Sequence, residues 1–121
     1  MKLTIIESPY AGHTTEHTTY ARRALTDSLT RGEAPYASHL LYTQPGVLDD
    51  TVPAERRLGI DAGFAWGTVA DLVAVYTDYG VSIGMNAGVT RARNAGQRVE
   101  YRSIGKNPPP DEPSPTTTLI V

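Results

Sequence analysis

The chain has 121 residues, enough for one domain with a real core and too few for two ordinary ones. Its net charge of −2 and the lack of any lysine or arginine run argue against duplex nucleic acid as a partner and leave room for a small anionic ligand. There is no cysteine, and the three histidines lack metal-ligand spacing, so no disulfide framework, thiolate nucleophile, metal or cofactor is expected.

The N-terminus runs directly into KLTIIESPY, with neither a charged leader nor a long apolar stretch, so a protein without a membrane span in the cytoplasm is expected. Leu3 to Ile6 is a short apolar run stopped by Ser8 and Pro9, as for a strand buried on both faces. From Thr15 to Thr30, the apolar or small residues Tyr20, Ala21, Ala24, Leu25, Ser28 and Leu29 recur at three- and four-residue spacing. That spacing predicts an amphipathic helix ended by Gly32.

Ala34 to Ser38 reads as a brief strand, and HLLYTQPGVLDDTVP as a long loop with turn residues and no steady period. Pro53 then opens a second helix, with Glu55 near the positive end of its dipole. Gly59, Gly63 and Gly67 recur along it, beside Ala62, leaving one face nearly bare. Each internal glycine costs about 1 kcal/mol relative to alanine, so the bare face implies close backbone approach, either to the sheet or to another subunit with Trp66 at its edge.

Asp71 to Thr77 is the clearest strand, with Asp78 at its carboxyl end. SIGMNAGVTRA begins the third helix, with Met85, Val89 and Ala92 inward, Arg91 and Arg93 outward, and Gly96 as its stop. Arg98 to Tyr101 is a last strand. The alternation predicts a three-layer α/β domain over residues 1–104, with a mainly parallel sheet of four to five strands. Residues 105–121 hold five of the nine prolines and read as an extended tail.

In an open parallel sheet, ligands bind beyond the carboxyl ends of the strands. Ser8, Pro9, Tyr10 and Gly12 meet that description, as do Asp78 and the segment from Ser82 through Gly84 to Met85, with the loop from His39 to Asp50 over them. The open N–H groups of a helix start suit a phosphate or carboxylate, although Ser82 is equally a helix cap. Tyr10 either bonds a ligand or fills the sheet edge, and Asp78 either bonds sugar hydroxyls or caps a turn. The pair Asp49 and Asp50 reads as a solvated turn or as acids poised over a pocket.

The ordered set SPYAG, PYASHLLYTQ, LDD, PAERRLGIDAG, SIGMNAG and GQRVEYR resembles, over roughly residues 3 to 102, small phage and bacterial proteins related to nucleoside 2-deoxyribosyltransferases. The resemblance implies a Rossmann-like or flavodoxin-like fold, assembly into homo-oligomers, a nucleoside or nucleotide as ligand, and, for a phage-encoded member, the host cytoplasm. It also implies cleavage or transfer at an N-glycosidic bond, with Tyr10 steadying a carboxylate, Asp78 touching the sugar, and Ser82 and Gly84 near a phosphate. The relatives carry their glutamate nucleophile where this chain has Gly88. Asp49, Asp50, Glu55, Asp61, Glu7 and Glu16 are the candidate replacements, with Asp49 or Asp50 expected to assist as the acid, and none has a selecting spacing. With that carboxylate lost, the alternative is a protein that only binds a nucleotide or nucleotide-derived signal on the same fold.

Overall fold

The computed structural model describes residues 1–109. Eight elements follow in order: β1 (Leu3–Glu7), α1 (Thr14–Thr30), β2 (Ala34–Tyr36), α2 (Ser38–Leu41), α3 (Pro53–Gly67), β3 (Leu72–Tyr76), α4 (Ile83–Asn94) and β4 (Arg98–Arg102). The four strands form one parallel sheet in the order β2-β1-β3-β4, flanked by helices in a Rossmann-like, flavodoxin-like three-layer fold. The order reverses between β1 and β3, and that is where such sheets open a crevice for ligands.

Alternation along the strands divides the core in two. Ile6, Leu72, Ala74 and Tyr76 face α1, where Tyr20, Ala21 and Ala24 meet them. Val73 and Val75 face the other way, onto Met85, Val89 and Ala92 of α4, with Ile5 and Val99 beside them. Every residue of β3 is buried, as a central strand covered on both faces requires. Gly32 and Gly96, at φ 80° and 71°, adopt the left-handed conformation that follows a helix end, so both expected helix stops hold.

The single turn α2, Ser38–Leu41, replaces the last residue of the expected strand, which ends at Tyr36, and the start of the segment expected to be loop; only Leu40 in it is buried. A four-residue helix is too short to display a period, so nothing in the pattern could reveal it.

Beneath the C-terminal end of α1 lies an ion pair that composition alone does not announce. Arg102 donates through Nη1 and Nη2 to the two carboxylate oxygens of Glu33, at 2.8 and 2.6 Å. Ser28 Oγ also donates to Glu33, and Tyr76, which accepts from Arg102, donates to Asp27. The bonds from Arg102 hold the Glu33 carboxyl below its ordinary range despite burial. Glu33→Gln should destabilise the domain by up to about 3 kcal/mol at pH 7, because it removes the bidentate partner of a buried guanidinium and leaves it only the part-exposed Glu100. A carboxyl with a depressed folded pKa stabilises above its unfolded value and loses that effect as pH falls, so denaturant titrations should show the variant and parent converging in acid.

Residues 110–121 lie outside the described residues, and with them most of the segment expected as a tail. Its first part is tied to the domain. Arg23 donates to the carbonyls of Ile104 and Gly105, and Asn107 bonds Tyr79 Oη and the Glu16 carbonyl.

Candidate active site

A cavity of about 610 Å³ opens at the carboxyl ends of β1 and β3, within the roughly 300–1,000 Å³ usual for small-molecule sites. The β1 end contributes Glu7, Ser8 and Tyr10, the turn after β3 and the start of α4 form a second wall, and α2 with α3 forms a third.

Glu7 is the feature that gives the cavity its chemistry. Along β1, the alternation that turns Ile5 toward α4 brings Glu7 to the same face, a place for an apolar side chain. It fits because Gly88 of α4 has no side chain: a Cβ there would stand 2.3 Å from Glu7 Oε2 and 2.6 Å from Cδ. The space beside Gly88 is therefore filled by a carboxyl from the neighbouring strand. Burial pushes the Glu7 carboxyl up to about 8, against the opposing pull of the Arg91 guanidinium, so at neutral pH it holds its proton. Glu7 is one of the six carboxylates weighed from the sequence, and its contact with Gly88, 81 residues away, is what the structure adds.

Beside it, Ser8 Oγ and His39 Nε2 are hydrogen-bonded at 2.7 Å. Ser8 is buried, and burial pushes the His39 imidazole down to about 4, leaving it neutral at pH 7. The Tyr10 ring meets His39 edge-on, with centroids 6.4 Å apart, and the Tyr10 carbonyl is fixed by His17 Nδ1 at 3.0 Å. The missed turn α2 is thus what carries His39 to the cavity.

The other expected site residues divide into three groups. Pro9, Asp50, Ser82, Gly84 and Met85 line the cavity, as do Ser8, Tyr10 and His39. Ser82 caps α4 by accepting the Met85 N–H at 3.2 Å, which leaves the N–H groups of Ile83 and Gly84 open at its mouth. Asp49 and Gly12 instead line an adjoining open groove, where Asp49 caps a turn by accepting from Thr51 N and Oγ1 and does not line the cavity. Asp50 is paired with Arg56 at 3.1 Å.

Asp78 does not line the cavity. Its oxygens accept from Tyr20 Oη, Ser103 Oγ and the N–H groups of Ile104 and Gly105, at 2.6 to 2.8 Å. Burial works against its ionisation, yet those four bonds outweigh it and hold the carboxyl at about 2. This carboxylate fastens the segment after β4 to the domain, and no oxygen is left over for a sugar.

The bare face of α3 is used inside the chain, against α2, the following loop and one arginine, and not against the sheet. Gly59 approaches Leu48, Gly63 approaches Ser38 Oγ, and Gly67 lies under the Arg91 guanidinium, each closer than a Cβ would tolerate without movement. Arg91, expected to face outward, is half-buried: it donates to Gln97 Oε1 at 3.0 Å, stacks over Phe64 and borders the cavity. No group of histidine, aspartate and glutamate side chains suited to a metal ion occurs among the described residues. No described helix is long and apolar enough to cross a membrane.

Residues 2–102 match the family DUF7768, a domain of unknown function. No curated protein and no solved structure matches the chain.

Proposed function

We propose that this chain, which belongs to the DUF7768 family, processes a nucleoside or nucleotide by breaking its N-glycosidic bond, with Glu7 as the acid. The observation that carries the reading is the Glu7 carboxyl seated in the space of the missing Gly88 side chain, at the point where strand order reverses. Cleavage needs a proton for the departing base, and a carboxyl that keeps its proton at neutral pH supplies it.

In the proposed step, the bond between the sugar's anomeric carbon and the base nitrogen breaks, its electron pair goes to the nitrogen, and the Glu7 proton follows. A water oxygen bonds the anomeric carbon and passes one proton to a base at the cavity wall. The Glu7 carboxylate left behind lies against the positive charge that develops on the sugar, which stabilises the transition state. The open N–H groups of Ile83 and Gly84 favour a ligand that carries a phosphate.

Incubation with a panel of deoxynucleosides, ribonucleosides and their 5′-monophosphates, read as released free base, tests the proposal. Release from one member, falling as pH rises through about 8, is expected. Binding by calorimetry without any release would instead favour a protein that sequesters its ligand.

A further inference from the structure

We infer that His39, acting through the hydroxyl of Ser8, is the proton acceptor for the attacking water, so that the cavity holds a complete acid and base pair. The inference rests on the reading above and extends it to the second proton of the reaction. Ser8 follows Glu7 directly in the chain, both residues border the same cavity, and the Ser8 Oγ lies 2.7 Å from His39 Nε2. With the imidazole proton on Nδ1, Nε2 accepts from Ser8 Oγ, and the Ser8 oxygen is then free to accept from a water in the cavity. As that water's oxygen bonds the anomeric carbon, its proton passes to Ser8 Oγ while the Ser8 proton passes to Nε2. The chain ends the step with a Glu7 carboxylate and a His39 imidazolium.

The two side chains have environments that drive them apart in the directions these roles need. Glu7 is held protonated up to about 8 and His39 is held neutral down to about 4. Two titratable groups pushed apart in one site is the arrangement that assigns an acid and a base. The return of the proton from His39 to Glu7 afterwards runs downhill, which resets the pair without a further reactant.

The charges around His39 do not disturb this assignment. Asp50 and Arg56 are paired with each other, and Glu55 accepts from the Asp49 N–H. Tyr42 ends α2 and takes the Trp66 Nε1 hydrogen bond. Across the cavity Arg91 borders Glu7, while His17 is engaged with the Tyr10 carbonyl.

The test is base release by the full chain between pH 4 and 9 for the parent, His39→Gln and Ser8→Ala, with nucleotide affinity measured alongside by calorimetry. Glutamine can hold the Ser8 hydroxyl but cannot take the proton. Both variants should lose at least about a hundredfold in kcat with little change in affinity, and His39→Gln should lose the fall in rate that the parent shows as pH drops toward 4. A His39→Gln variant with the parent's rate, or with the same acid fall, overturns the inference while leaving the glycosidic reading intact. A parent that releases no base from any substrate overturns that reading and the inference with it. Nitrogen-15 spectra of the parent give a check that needs no variant: His39 should be the neutral Nδ1–H tautomer at pH 7, and the Nε2–H tautomer would overturn the relay.

Discussion

Glu7→Gln should abolish base release and at the same time make the protein more stable. The activity loss, on the order of 10³-fold, follows because an amide cannot give a proton to the departing base. The stability gain follows from the sign of the shift. A glutamate whose folded value is raised above its unfolded one stabilises only below the unfolded value, near 4.5, and loses that contribution as pH climbs to about 8. At pH 7 the difference amounts to roughly 3 kcal/mol as an upper value, about 1.4 kcal/mol for each unit between 4.5 and 7. The variant's melting temperature should exceed the parent's by on the order of 10 °C at pH 7 and match it near pH 4. A variant less stable than its parent at pH 7 would mean that Glu7 is held by compensating bonds, and its role as a stored acid would fall. Loss of activity with gain of stability is what a group kept for chemistry produces.

The second large effect is expected at Gly88. Gly88→Ala places a methyl group 2.3 Å from Glu7 Oε2, so the carboxyl, at the far end of a flexible side chain, must leave its seat. Overpacking of this kind costs about 1–3 kcal/mol, and Gly88→Ala should lower base release by displacing the acid, although the substituted residue touches no substrate. Glu7→Ala/Gly88→Ala should then be more stable than the sum of the single effects predicts, with a coupling of about 1–3 kcal/mol. Additive losses in a double-mutant cycle would show that the two positions do not share one space. Gly88→Glu made alone meets the same obstruction and should lower base release in the same way.

The strands and long helices were legible because each carries a period or an apolar run that survives in one dimension. The unbroken apolar run from Leu72 to Tyr76 marks a strand, and Met85, Val89 and Ala92 mark the inward side of α4, while the division of the strand between two cores emerges only in the fold. The site was legible in location and much less so in identity. Ser8, Tyr10, His39 and Ser82 were found because they sit at strand and helix ends, where the fold opens a crevice. Glu7 carries no such mark, since a carboxylate at a core position looks like an ordinary break in a strand until the glycine opposite is known. Asp78 misled for the converse reason: it occupies a ligand-binding place in the chain, but its four partners come from Tyr20 and from residues after β4.

Among the residues of α3 only Gly67 is buried, so the helix that walls the cavity places almost nothing in the two cores. Folding and ligand choice are in that respect written on separate parts of the chain. Substitutions on the cavity side of α3, at Arg56, Ile60 or Phe64, can reshape what the crevice admits while the sheet, α1 and α4 keep their packing. A lineage built on this domain has a cavity wall that can drift while its framework stays fixed.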